Sequence, residues 1–238
     1  MRLLAFDTST EHVSVAVASD QAGKQRRWEF EGVGGAQSSA QLIPVVMQLL
    51  KEASLSLQQL DAIVFGQGPG SFTGLRTACS VAQGLAFGAG VPVLPVATLM
   101  AVAEQARHTY LPLASACRVQ AMLDARMGEV YIASFDYQDG RWLRRAPDEL
   151  CSPKQLDFYA GASLAGNVFE IYAAELSPPQ GTPCWTARPT AQALLRLAPA
   201  LLQQGLALPA TQAYPLYIRD KVAQTTEERE AQLRRTST

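Results

Sequence analysis

Two runs in this chain hold residue types that phosphate chemistry uses. The first, Asp7-Thr8-Ser9-Thr10, sets a carboxylate and three hydroxyls directly after an apolar strand. Such a set can hold a metal-bound phosphate, although Asp, Ser and Thr also build ordinary hairpin turns. A phosphate site of this kind needs a second acidic loop facing it. Asp124-Ala125-Arg126 is the only candidate, and Met127-Gly128 follows it where a phosphate-cradling glycine run would stand. The pattern predicts a degenerate nucleotide cleft: Asp7, Thr8, Ser9 and Thr10 are its only cofactor candidates, and no cofactor is expected on this chain alone.

The second run, Gly66-Gln67-Gly68-Pro69-Gly70-Ser71-Phe72-Thr73-Gly74-Leu75-Arg76, follows the strand-like Asp61 to Phe65 and opens a long apolar helical pattern. It predicts a strand-to-helix elbow. Gly66, Gly68 and Gly70 can take φ > 0, Pro69 stiffens the turn, and Ser71 caps the helix. Every helix N-terminus attracts anions, so the elbow alone says little about ligands.

Other chemistries find less material. His12 and His108 are the only histidines, and no HExxH is present. Ser71 lacks the GxSxG spacing of a nucleophile elbow, which leaves capping as its expected task. Cys79, Cys117, Cys151 and Cys184 stand singly, so neither a zinc site nor a disulfide scaffold is expected, and free thiols suit a reducing cytoplasm. A net charge of −1 argues against nucleic-acid binding by this chain alone. The start of the chain is too short in apolar residues for a signal-peptide core, and no run is long enough to span a membrane. A soluble, cytoplasmic protein is expected, with no catalytic and no metal-binding residue.

The elements that position these runs follow from periodicity. Leu3 to Phe6, Val13 to Ser19 and Arg26 to Phe30 read as three antiparallel strands with a turn at Asp20 to Lys24. Then come a helix over Ser38 to Ser54 capped by Ser38 or Ser39 and bent near Pro44, a strand over Asp61 to Phe65, and a helix over Ser71 to Gly88. A strand over Val91 to Pro95 and a helix from Thr98, its cap, to Arg107 complete the set. Tyr110 to Ser115 breaks the pattern. Strands over Arg118 to Leu123, Glu129 to Asp136 and Gly140 to Arg145 then repeat the opening, before a loop at Ser177 to Pro183 and a helix over Thr190 to Gln204 broken or bent at Pro199. This order predicts an α/β, actin-like (ASKHA) fold of two ribonuclease-H-like lobes of mixed sheet with helices. The expected division is 1–110 for the N-terminal lobe, 111–224 for the C-terminal lobe and 225–238 for a charged, mobile tail.

Charge is unusually sparse in the first lobe. Between Gly32 and Ala103 the only formal charges are Lys51, Glu52, Asp61 and Arg76. On the first helix Leu42, Val45, Val46, Leu49 and Ala53 form one apolar face. Ile43, Met47 and Leu50 widen it to about 200°, more than one core contact needs. On the second helix Arg76, Ser80, Gln83 and Phe87 share the most polar side, which leaves Phe87 stranded. Helices buried in a large domain would also be poor in charge. The over-wide arc and Phe87 favour a partner surface made of Ile43, Met47, Leu50, Arg76, Ser80, Gln83 and Phe87. Gly74, Ala78, Ala82 and Gly84 predict close backbone packing along the second helix.

Two further runs, Ala121-Met122-Leu123-Asp124-Ala125-Arg126-Met127-Gly128-Glu129-Val130-Tyr131 and Tyr214-Pro215-Leu216-Tyr217-Ile218-Arg219, complete a set. With the first two, in this order, they resemble the TsaB family (tRNA threonylcarbamoyladenosine biosynthesis protein B, YeaZ-like) from Met1 to about Val222, more thinly between Tyr137 and Ala213. The resemblance implies a non-catalytic scaffold and activator. The machinery it serves places threonylcarbamoyl on N6 of the adenosine beside the anticodon, in tRNAs reading codons that begin with A. It implies pairing through the N-terminal lobe with the catalytic paralogue TsaD, joined by the ATPase TsaE, with tRNA reached through the complex. In the partner's absence, a homodimer through the same helices is expected. ATP and a metal ion belong to the partner subunits in that scheme. TsaD carries an HxxxH metal pair on the helix after the strand matching Val91 to Pro95; here that stretch is Thr98-Leu99-Met100-Ala101-Val102, without histidine. One departure stands out: many relatives carry a histidine shortly before the Leu-Pro of the first helix, where this chain has Ser38-Ser39-Ala40-Gln41-Leu42-Ile43-Pro44. The rival readings are a small-molecule kinase of actin-like fold and a glycoprotease-like peptidase.

Overall fold

The computed structural model describes residues 1–21 and 24–219, so the expected tail at 225–238 lies outside the described residues. The first lobe is a five-stranded sheet in the order β3-β2-β1-β4-β5. Its strands are β1 (Arg2–Asp7), β2 (His12–Gln21), β3 (Lys24–Val33), β4 (Ala62–Gly68) and β5 (Val93–Ala97). β1, β2 and β3 run antiparallel, while β4 and β5 join parallel to β1. The crossovers are α1 (Ser38–Glu52) and α2 (Phe72–Ala89), and α3 (Thr98–Tyr110) follows β5.

The second sheet repeats this order. With β6 (Ala116–Arg126), β7 (Glu129–Gln138), β8 (Arg141–Arg144), β10 (Ser163–Gly166) and β11 (Cys184–Thr186), the path β8-β7-β6-β10-β11 has the same parallel and antiparallel pairings. The short β9 (Glu149–Cys151) adds to β7. The duplication expected from the opening strands is present, and the architecture is the actin-like pair of ribonuclease-H-like lobes. β9, β10 and β11 carry too few residues for their period to be read locally. In place of α1 and α2 the second lobe covers its outer face with loops, where Leu156, Val168 and Tyr172 pack on Met122, Ile132 and Leu164.

Period-two alternation decides what each face of the first sheet meets. Leu4, Phe6, Val15, Val17, Ile63 and Phe65 point to α1 and α2 and meet Leu42, Val46, Leu49, Ala78 and Ala82. Each fully buried large apolar side chain contributes about 1.5–3 kcal/mol. The opposite face is small-residue rich (Ala5, Ala16, Ala18, Ala62) and is covered by α4 (Ala191–Gln203) through Ala191, Leu194, Leu195 and Ala198. A cut near Tyr110 thus separates the two sheets but not the helices. α4, late in the chain, packs on the first sheet, and α3 packs Leu99, Val102, Ala103 and Ala106 on the second.

The helix ends correct several expectations. Ser71 caps α2 as predicted, its Oγ accepting from Gly74 N at 3.1 Å, and Gly90 ends the helix in the left-handed region. Thr190 caps α4 through Ala193 N. Thr98 is no cap: it is the first residue of α3, and its Oγ1 accepts from Gly68 N at 3.0 Å, tying the elbow to the next helix. Ser38 and Ser39 do not cap α1 either; Ser38 is its first helical residue, and its buried Oγ has no partner. Both α1 and α4 run on through their prolines, Pro44 and Pro199. Among the described residues no helix is long and apolar enough to cross a membrane.

Candidate functional site

β1 and β4 are parallel neighbours, so the loop after each leaves the sheet at the same edge. This brings the Asp7 run against the glycine elbow. Ser71 N donates to Ser9 O at 2.7 Å, and Thr8 Oγ1 donates to Gly74 O at 2.7 Å. The elbow needs its glycines for approach. A Cβ at Gly74 would lie 1.8 Å from Thr8 O, and one at Gly66 would lie 1.8 Å from Asp7 Oδ2.

Asp7 is turned inward. Its Oδ1 accepts from Ser9 N at 2.9 Å and from Ser9 Oγ at 2.6 Å, while Oδ2 is buried without a partner. Burial pushes the carboxyl well above the usual carboxylate range, against the opposing pull of the Ser9 hydrogen bonds. Thr8, Ser9 and Thr10 are buried as well. The cavity remaining between this loop and Asp124 is about 50 Å³. Small-molecule sites run to about 300–1,000 Å³, several times that volume. Among the described residues no three His, Cys, Asp or Glu side chains are grouped as metal ligands.

The facing loop is equally occupied. Asp124 Oδ1 accepts from Arg126 N at 2.8 Å and from the Tyr172 hydroxyl at 2.7 Å. Burial, and then that bond to Asp124, push the Tyr172 phenol up to about 12. Arg126 lies 3.1 Å from Asp124 and 3.2 Å from Glu11 of the first lobe, spanning the cleft. Arg126 and Met127 both take left-handed backbone, at φ 62° and 57°, ahead of Gly128 at φ 74°. Non-glycine residues pay for that conformation, and the bulged β6–β7 turn holds them there.

The run Tyr214 to Arg219 lies across both loops. Leu216 N donates to Gln67 O at 2.8 Å, and Gln67 Nε2 returns a bond to Tyr214 O at 3.0 Å. Arg76 Nε donates to the Tyr217 hydroxyl at 3.1 Å while its guanidinium stacks 3.8 Å from the Phe72 ring. Arg219 pairs with Glu129 and with the Arg126 carbonyl. The four sequence runs, far apart in the chain, therefore converge on one place, and three of them (the elbow, the Asp124 loop and the Tyr214 to Arg219 run) line a cavity of about 240 Å³. Periodicity gives no hint of these partners.

The helix face expected to bind a partner is placed differently at one position, Leu50. Ile43, Met47 and Phe87 are 46 %, 50 % and 76 % exposed, but Leu50 is 2 % exposed and belongs to the core. Leu50 follows Leu49 and Val46 round the helix into the sheet, so the apolar arc is wide because its far edge is core. Arg76 is exposed and Gln83 half-buried, and each already holds the last run of the chain: Arg76 Nε bonds the Tyr217 hydroxyl, and Gln83 Nε2 donates to Ala213 O at 2.9 Å. Ser80 is exposed. Gly74, Ala78 and Ala82 pack closely, as expected, but a Cβ at Gly84 or Gly88 would meet nothing within 4 Å. The exposed ridge of α2 is thus Ser80, Gly84, Phe87 and Gly88.

The chain has close relatives. A family model described as "TsaD: tRNA N6-adenosine threonylcarbamoyltransferase" matches residues 33–226. The "tRNA threonylcarbamoyladenosine biosynthesis protein TsaB" of Haemophilus influenzae is 33% identical over 232 residues, covering 93% of this chain and 95% of that protein. Its namesake from Escherichia coli is 32% identical over 232 residues, 94% of this chain and 96% of that one. Among solved structures, "YeaZ from Pseudomonas aeruginosa" superposes with a TM-score of 0.80 at 36% identity, over 91% of this chain and 99% of that one. A further structure from that organism, described as "an uncharacterized protein with similarity to peptidase YEAZ", superposes equally, with a TM-score of 0.80 at 36% identity. Near-complete coverage in both directions makes the likeness one of whole chains, so the chain belongs to the TsaB family, within the wider family that the TsaD model describes.

Proposed function

We propose that this chain takes part in the biosynthesis of threonylcarbamoyladenosine in tRNA, and does so as a non-catalytic scaffold and activator of the catalytic paralogue TsaD. One observation carries the second half of this reading: the Asp7 carboxylate is buried, with one oxygen taken by Ser9 and the other against Gly66. A kinase of actin-like fold needs that loop open to a metal-bound phosphate. The peptidase reading has no better footing, since Ser71 Oγ is engaged by Gly74 N at the start of α2.

The partner-binding half rests on Ile43, Met47 and Phe87, which stand exposed, and on Gly84 and Gly88, where a Cβ would meet nothing in this chain. A glycine inside a helix costs up to about 1 kcal/mol relative to alanine, a cost that a closely approaching partner helix would offset. TsaD is the partner, and a second copy of this chain takes the face when TsaD is absent. TsaE and tRNA join through the complex, ATP and a metal ion are held by the partner subunits, and the work is cytoplasmic.

The test is reconstitution. The purified chain should neither hydrolyse ATP nor modify tRNA, and adding it to TsaD and TsaE should raise their modification rate. Robust turnover by the chain alone, abolished by Asp7→Ala, would overturn the reading.

A further inference from the structure

A cavity of about 330 Å³ opens between the two lobes and shares no residue with the place where the four runs converge. The walls come from β3, α3, the β7–β8 hairpin and α4. They present Arg27, Arg107, Arg141 and Arg196, with Glu104 as the one carboxylate among the lining residues.

Glu104 has no capacity left for the outer arginines. Its Oε1 accepts from Arg107 Nη2 at 3.0 Å and from Arg196 Nε at 2.8 Å. Its Oε2 accepts from Arg107 Nε at 2.9 Å and from Trp142 Nε1 at 3.0 Å. Four donors fill a carboxylate. Among the described residues Arg27 and Arg141 form no ion pair, and the buried Nη1 of Arg196 has no partner. The potential is felt nearby. The His108 imidazole is held below its usual range, first by burial and then by the charges of Arg196, Arg107 and Arg27, which outweigh Glu104.

Arg107 and Arg196 are largely buried with the single carboxylate of Glu104 between them, one counter-charge short, and guanidinium groups pair with phosphate through parallel, charge-assisted hydrogen bonds. The volume lies at the lower end for small-molecule sites, and Met100, Leu197 and Leu201 supply an apolar wall for the uncharged part of a ligand. We propose that this cavity is a binding site for a small phosphorylated molecule, whose phosphate groups lie among Arg27, Arg107, Arg141 and Arg196. The site is independent of the scaffold reading, and its failure leaves that reading untouched.

The experiment is calorimetric titration of the full chain at low salt with inorganic phosphate, pyrophosphate and ADP, and separately with tRNA. Saturable binding of pyrophosphate or ADP is expected. The double variant Arg27→Glu, Arg141→Glu should weaken it by roughly tenfold or more, while Arg188→Glu, an exposed arginine outside the cavity, should leave it unchanged. Arg27 and Arg141 are exposed, so both variants should fold, with circular dichroism as the control. Arg196→Gln gives a second, inner probe that should also weaken binding. Three outcomes would overturn the proposal: no saturable binding of any small phosphate, binding that survives the double variant, or a response to tRNA alone.

Discussion

The hydroxyl of Thr8 donates to the carbonyl of Gly74 at 2.7 Å, and the Thr8 carbonyl oxygen occupies the space that a Cβ on residue 74 would need. The first loop of the chain and the first turn of α2 are therefore a single packed unit. Gly74→Ala forces backbone against backbone, and we expect it to cost about 2–4 kcal/mol in urea denaturation. Gly84→Ala enters open space and should instead stabilise the isolated chain by about 0.5–1 kcal/mol. Under the scaffold reading the same Gly84→Ala variant should bind TsaD more weakly, because the added methyl stands on the ridge that the partner approaches.

The exposed positions of α1 and α2 separate fold from association. Met47→Glu and Phe87→Glu should stay within about 0.5 kcal/mol of the parent in stability, since both side chains face solvent. Each should cost about 2 kcal/mol or more of binding to TsaD, measured by calorimetry. Leu50→Glu should unfold the protein, because it places a charge in the core. Normal binding by both exposed variants would move the interface elsewhere.

Asp7 sets a pH dependence of definite sign. Its folded pKa is raised by burial, so below the unfolded value both states are protonated and no penalty applies. As pH rises through the unfolded value, stability is lost until the folded value is passed. Asp7→Asn keeps an oxygen for the two Ser9 bonds and removes the buried charge. We expect it to stabilise the protein by about 1 kcal/mol or more at neutral pH. The gain should vanish in acid, and thermal unfolding across pH checks this.

Glu104 works in the opposite direction. Burial favours its neutral form, but the hydrogen bonds of Arg107 and Trp142 and the charges of Arg107 and Arg196 hold its pKa below the ordinary glutamate range. Its contribution is present above the unfolded value and lost as pH falls through the folded one. Glu104→Ala leaves Arg107 and Arg196 facing each other and should cost about 3–5 kcal/mol at neutral pH. An acid titration of stability should show this difference shrinking as the parent carboxylate protonates.

The sequence by itself determined the succession of strands and helices in the first lobe, the repetition of its opening strands in β6, β7 and β8, the glycine elbow with Ser71 as cap, and the four helices. These are local properties: side-chain periods of two and 3.6, turn residues, and caps reached within three or four positions. Only the tertiary structure decided that Leu50 is core while Met47 is exposed, that α4 covers the first sheet, and that Thr98 serves Gly68 rather than its own helix. The same holds for Arg76 with Tyr217, 141 residues apart, and for arginines from four elements lining one cavity with Glu104. A wide apolar arc says that a helix is covered on most sides without saying by what. A hydrogen bond between distant segments leaves no period in the chain, because it arises only once the packing of sheets and helices has brought the two segments together.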